Sequence, residues 1–220
     1  NVNDVEGSAP EGLMSITADE ANKFYAVWLD LREDKNNKIA FSTFTKSATW
    51  SKNKIVYKSP DKTVCECCKP SIAVKGKMVS LMFRNWINGA RDLYLTSSID
   101  GGLEFGNPTK LGNGTWKLKG CPMDGGGISI DKNNLVHTVW QREGIVYYNQ
   151  PGQSETRIAE GRSCNLFGSE IPFVTWQAGA QIYGQPLNGN RITIGDGVAV
   201  NIIQLKGKGM LATWENDGKI

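Results

Sequence analysis

Long apolar runs are missing from this sequence. None approaches the ~20 residues that a membrane-spanning helix needs, so no bilayer span is expected. Apolar residues at helical spacing are missing as well. Charge of one sign is not in excess: 25 basic and 22 acidic residues leave a net charge of +3. The two signs are mixed along the chain, and nucleic-acid binding is not implied. Histidine is almost absent, with His137 the sole example. No signal peptide is present, and the chain opens on Asn1 rather than Met, as a mature, trimmed or truncated product would.

What is there suffices for one sizeable core. The 220 residues are 40% apolar, and a single domain over residues 1–220 is expected. Twenty-five glycines and seven tryptophans indicate many tight turns and many aromatic packing sites. Apolar segments repeat one under another. "FYAVWLDLR" carries Trp28, "MVSLMFRN" Phe83, "LVHTVWQRE" Trp140, "IPFVTWQAG" Trp176 and "MLATWEND" Trp214, at spacings of 55, 57, 36 and 38 residues. Each reads as a strand that ends in polar residues.

Before each of these strands stands another, joined by a short polar turn: "LMSITAD", "PSIAV", "GGISID", "NLFGSE" and "AVNIIQL". The turns "DEANK", "KGK", "DKNN" and "KGKG" have hairpin chemistry. The first two units add third and fourth strands, "KIAFSTFT" with "KIVYKS" and "DLYLTSSI" with "PTKLG". Antiparallel four-stranded units at this period predict an all-β β-propeller with five repeat units visible. A β-sandwich is the alternative, and five similar units in a row argue against it.

The turn "SSIDGGLEF" places Ser98, Asp100, Gly102 and Phe105 in the order S-x-D-x-G-x-x-aromatic. Asp100 can accept backbone N–H groups inside the turn, glycine permits positive φ, and the ring can plug the blade. This order resembles the Asp-box of sialidases and related BNR-repeat proteins, with Glu104 where the family has Thr. A degenerate copy stands at Thr43, Thr45, Ser47 and Trp50; Trp28 to Trp50 and Phe83 to Phe105 are both 22 residues. The stretch from "VWLDLR" through "CECCKPSI", "RDLYLTSSIDGG", "GTWKLKGCPMDGG" and "TVWQRE" is similar to secreted bacterial sialidase-like proteins labelled exo-alpha-sialidase, closely over about residues 11–160. The resemblance implies a propeller of the sialidase-like type and a secreted, periplasmic or cell-surface location. The "RIP" motif common near sialidase N-termini does not occur.

Strand order predicts which residues share a face. In a four-stranded blade the 2–3 loops and the 4–1 connections lie together, and the 1–2 and 3–4 turns lie opposite. The first face collects Asp30 and Arg32, Arg84 and Asn85, Arg142 and Glu143, and Glu215 with Asp217. It also collects Cys67, Cys68, Cys121, Asp124 and Cys164 at the blade starts. Clustered guanidinium groups suit a carboxylate or sulfate ligand. Sialidases hold the sugar carboxylate with three arginines on such a face; the resemblance makes Arg32, Arg84 and Arg142 the candidates, with Glu215 beside them. The competing reading is salt bridging to Asp30, Asp92 and Glu143. A sialidase also requires a Tyr paired with a Glu, and an Asp acid/base. Asp124, among glycines, is the best-placed carboxylate for catalysis, whereas Tyr94 and Tyr147 read as packing residues.

The five cysteines include three within four positions, in "CECC". Cys68, Cys121 and Cys164 each begin a blade, 53 and 43 residues apart. A disulfide between blades, for example from the CECC segment to Cys121, is the expectation for an exported protein. The alternative is a thiolate site for zinc or copper built from Cys67, Cys68, Cys121 and Cys164. A third is a reactive thiol, with Lys69 beside Cys68. His137 alternates with Val136 and Val139 and reads as a packed strand residue. The last unit shows two strands, so a companion chain or a further segment completing the propeller is expected. The functional expectation is a glycoside hydrolase, or its lapsed relative, binding an acidic glycan without a cofactor on the face of the 2–3 loops. A non-catalytic protein- or glycan-binding propeller is the alternative, and a structural or redox subunit with the cysteine metal site is another.

Overall fold

The computed structural model describes residues 1–44, 49–168, 171–205 and 209–220. Thr45 and Ser47 of the degenerate turn, the end of "NLFGSE" and most of "KGKG" lie outside these. Every regular element among the described residues is a strand. The chain divides into two compact units, Asn1–Gly125 and Gly126–Ile220.

The first unit holds two blades. Blade 1 runs β1 (Met14–Ala18), β2 (Phe24–Asp30), β3 (Lys38–Phe44) and β4 (Lys54–Tyr57). Blade 2 runs β5 (Ser71–Lys75), β6 (Met78–Arg84), β7 (Leu93–Ser98) and β8 (Thr109–Lys110). Each is an antiparallel sheet in sequence order. Tyr25, Val27 and Leu29 of β2 alternate onto one face, where they meet Val79, Leu81 and Phe83 of β6. This is the period-two pattern of a strand packed between sheets. Phe83, fully buried, therefore packs on the preceding blade. Trp28 projects from the other face of β2, against Ala26, Ala40, Val2 and Ala9.

The Ser98–Phe105 turn does what its residues suggest. Asp100 Oδ1 accepts from the amides of Leu103 (2.9 Å) and Glu104 (3.1 Å), and Ser98 Oγ accepts from the amide of Gly102 (2.9 Å). Gly102 has φ 90°, open to glycine at low cost, and a Cβ there would lie 2.6 Å from the Phe41 ring. The Phe105 ring meets Phe41 edge-on at 5.1 Å and closes the space between the two blades of this unit.

The second unit holds blade 3, with β9 (Gly127–Ile130), β10 (Val136–Arg142), β11 (Ile145–Asn149) and β12 (Thr156–Glu160). It continues with blade 4, β13 (Arg162–Phe167), β14 (Phe173–Ala178), β15 (Gln181–Pro186) and β16 (Ile192–Asp196), and with the hairpin β17 (Val198–Gln204) and β18 (Met210–Glu215). Units three and four thus have four strands each, more than their pairs of apolar segments showed. Trp176 repeats the role of Phe83: it packs with Cys164, Leu166 and Val174 on Val139 and Val146 of blade 3.

Candidate functional site

The arginines are held by their own surroundings. Arg32 follows β2 and makes a fork on Asp30, with Nε to Oδ1 at 2.8 Å and Nη2 to Oδ2 at 2.9 Å. It also donates to Asp4, Asn3 and Asn53. Asp30 is fully buried. Burial by itself would raise its pKa, but the hydrogen bonds from Arg32, Trp28 and Ser8 bring it below the usual carboxylate value. Arg84, at the end of β6, is 1% exposed. Its Nε donates to the Asp124 carbonyl (3.0 Å) and its Nη1 to the Arg91 carbonyl (2.7 Å), and it lies over Trp116. Asp92 is taken by Lys110 and by the amide of Trp116. Arg142 clasps Glu155 and lies 4.2 Å from the Tyr147 ring centre. Glu143 is a turn residue with φ 55°, followed by Gly144 at 76°, the two-residue hairpin in which both residues need positive φ. Glu215 is exposed at the end of β18.

Asp124 is buried. The neighbouring glycines do not open space there. A Cβ on Gly125 would stand 1.9 Å from the Lys69 carbonyl oxygen, so glycine allows two backbone segments to touch. Tyr94 stacks on Phe83 and Tyr147 on Trp140, the packing expected of both.

The cysteines of the first unit converge. Cys67 and Cys121 form a disulfide across 54 residues, one of the pairings expected from the CECC segment. Cys65 and Cys68 are free and buried, with their sulfurs 3.4 Å apart; Cys65 and Cys67 Sγ are 3.8 Å apart. Arg91 Nη1 donates to Cys65 Sγ at 2.9 Å and shares Glu66. Hydrogen bonding from Cys68 outweighs burial and, with the Arg91 charge, brings the Cys65 thiol down to about 6; the Cys68 thiol is pushed up. Cys164, expected among the metal ligands, lies in the apolar core of the second unit. Cys65 was absent from that expected set, although its C-x-x-C spacing to Cys68 was a signal available in the sequence.

A second feature escaped the sequence reading. His137 near the start of β10 and Tyr148 near the end of β11 are joined by a 2.7 Å hydrogen bond between Nδ1 and the Tyr148 hydroxyl. On its other side His137 Nε2 stands 3.3 Å from Asp131 Oδ2. Asp131 also closes the β9–β10 turn by accepting from the amides of Asn133 and Leu135, both at 2.8 Å. Burial, with the Asp131 charge nearby, pushes the Tyr148 hydroxyl up to about 12. These groups line a cavity of about 440 Å³ that reaches Gln150, Thr156, Ile171, Pro172, Leu187 and Asn188.

Blade 1 shows what the same places hold when they serve packing alone. Asp19 accepts from Ala21 and Lys23 amides and from the Tyr25 hydroxyl. Phe41, opposite Val27, corresponds to Tyr148, opposite Val139. Blade 1 is thus Asp–Tyr–Phe where blade 3 is Asp–His–Tyr. Phe105 plugs the space beside Phe41, whereas the β15–β16 turn "PLNGNR" brings Leu187 and Asn188 and leaves the cavity. The absence of an aromatic plug in that turn was the legible signal.

The cavity opens among 1–2 and 3–4 turns. On the face of the 2–3 loops, the second unit has a shallower groove of about 460 Å³ lined by Gln141, Glu160, Arg162 and Gln177.

No family model and no curated protein matches the sequence. Among solved structures, the Hadza microbial sialidase Hz136 superposes with a TM-score of 0.59 at 10% identity, covering 88% of this chain and 49% of that one. A Trypanosoma rangeli sialidase in complex with sialic acid gives 0.53 at 11% identity, over 93% and 43%. An Aleuria aurantia lectin variant in complex with Fucalpha1-6GlcNAc gives 0.50 at 11%, over 94% and 88%. The chain spans about half the length of these sialidases. At such identities the likeness concerns architecture, and it shows the chain to be an all-β propeller of the sialidase-like type.

Proposed function

We propose that this chain is a secreted glycan-binding propeller whose sugar site is the cavity at Tyr148, His137 and Asp131. The observation that carries the reading is the polar chain of these three residues, open to a cavity, where blade 1 has a filled aromatic pair. The apolar wall of Ile158, Ile171, Pro172 and Leu187 suits the C–H face of a sugar ring, and Gln150, Thr156 and Asn188 suit its hydroxyls. That solved propellers of this shape include a lectin and sialidases supports a carbohydrate ligand. Burial, with the Asp131 charge, keeps the Tyr148 phenol protonated near neutrality, a hydroxyl suited to hydrogen-bonding a sugar. In the same reading the Ser98–Phe105 turn is an Asp-box turn with a structural role.

A second reading keeps the acidic glycan on the opposite face, at the Arg162 groove. It rests on an exposed arginine beside two glutamine amides, and needs no contribution from Arg32, Arg84 or Arg142. A glycan array followed by ligand-detected NMR separates the two. Loss of the signal in Tyr148→Phe with retention in Arg162→Ala supports the cavity, and the reverse supports the groove. Turnover of a fluorogenic sialoside by the wild type would replace binding with hydrolysis.

A further inference from the structure

The CECC segment gathers more chemistry than a disulfide uses. We propose that the reduced protein holds a thiolate-ligated d¹⁰ metal ion, Zn²⁺ or Cu⁺, on Cys65, Cys67 and Cys68, with Cys121 as the fourth sulfur for zinc.

The sulfur spacing carries the argument. An ion about 2.3 Å from each of several thiolates holds those sulfurs about 3.8 Å apart in tetrahedral or trigonal geometry. The Cys65 to Cys67 and Cys65 to Cys68 separations are 3.8 and 3.4 Å, and all three sulfurs lie within 4.8 Å of one another. Cys121 is delivered to the same place by its bond to Cys67. Sulfur-only donor sets select Zn²⁺ or Cu⁺ over harder ions.

The surroundings are arranged for electron-rich sulfur. Arg91 donates to Cys65 Sγ. The amides of Cys67 and Asp124 point at Cys65 and Cys68, and the Arg84 charge acts on Cys68. Zinc on four thiolates carries a net charge of about −2, and two buried guanidinium groups stand beside it. Cys65 and Cys68 are 0% and 1% exposed, while Cys67 is half-buried and Cys121 exposed, so the ion would be reached from the side of that pair.

Loading proceeds from the reduced state. The Cys67–Cys121 disulfide takes two electrons and two protons from a dithiol, which becomes a disulfide. The ion then displaces the thiol protons of its ligands to solvent. Crosslink and metal are therefore alternatives, and oxidation of the loaded protein expels the ion.

The test reduces the whole chain anaerobically with a dithiol and supplies Zn²⁺, Co²⁺ or Cu⁺ against a competing chelator, read by native mass spectrometry and absorbance. One ion per chain is expected, with sulfur-to-cobalt charge-transfer and tetrahedral d–d bands. Cys65→Ser should weaken retention by more than the roughly 10–100-fold that changes outside the coordinating set produce, and Cys164→Ser should leave it unchanged. Cys121→Ser should lose zinc while keeping Cu⁺ if copper is the occupant, and lose both ions equally if zinc geometry is the only one. Should Cys65→Ser not fold, the cobalt spectrum of the wild type decides. Absence of the bands, or no ion retained, or equal retention in folded Cys65→Ser, overturns the proposal.

Discussion

The Tyr148 hydroxyl lies 2.7 Å from Nδ1 of His137. Two blades earlier, the corresponding pair is Tyr25 and Phe41, tilted rings 6.4 Å apart. The comparison separates what the position needs for folding from what it has been given besides. Blade 1 folds with an aspartate in its first turn and two rings behind it; it has no imidazole there.

The double substitution His137→Tyr with Tyr148→Phe would rebuild the blade 1 arrangement in blade 3. Thermal stability should stay level or rise, because buried polar atoms give way to a packed pair. Glycan binding at the cavity should disappear. Calorimetry on the variant, paired with the ligand-detected NMR signal, checks both halves; a variant that binds as the wild type does removes the cavity from consideration.

Asp30 predicts a pH dependence of stability. Its folded pKa lies below its ordinary 3.8, so folding keeps it charged where the unfolded chain would begin to bind a proton. The contribution is complete above the unfolded value and fades as pH falls through the lower, folded one. Asp30→Asn leaves Arg32 without its buried fork partner, at a cost of about 3 kcal/mol near neutrality. Urea unfolding from pH 7 down to pH 2 should show the wild-type advantage shrinking below about pH 4. A constant gap would mean the ion pair is not its source.

Gly125→Ala should destabilise by about 3 kcal/mol, since its Cβ would meet the Lys69 carbonyl at 1.9 Å. Gly144→Ala is the comparison: there a Cβ meets nothing within 4 Å, and the cost is the positive φ alone, about 1 kcal/mol. Equal denaturation midpoints for the two variants would refute the close approach.

Phe83→Ala should cost about 3–5 kcal/mol, because the ring is fully buried between the two blades of its unit. Removing Ile203, 58% exposed on β17, should change stability by less than about 0.5 kcal/mol. Denaturant unfolding of the two variants checks the ranking.

The blades were legible because a ring recurs in the second strand, and Phe83 and Trp176 pack on the neighbouring blade of their own unit. The Asp100 turn was legible because its bonds span only a few residues. Of the arginine partners, Asp30 was legible, two residues from Arg32; the other two were not. Arg142 takes Glu155, 13 residues on, because Glu143 is spent on a turn. Arg84 takes backbone carbonyls, which no side-chain pattern announces. His137 looked like packing because its partner Tyr148 is reached through strand register, and Asp131 through a turn; alternation along one strand reports neither. The sulfur cluster was half visible, with Cys65 left out and Cys164 included, since equal position at blade starts says nothing of which way a side chain turns.

The Cys67–Cys121 bond encloses all four strands of blade 2 in one covalent ring. A protein pulled by its ends would transmit force through the two sulfurs and leave those 54 residues of separation slack, hiding roughly 180 Å of extended chain. A cut inside blade 2 would likewise leave one molecule rather than two fragments. Reduction would release that hidden length, so the redox state of a single bond sets how far this chain can be stretched and whether a nick divides it.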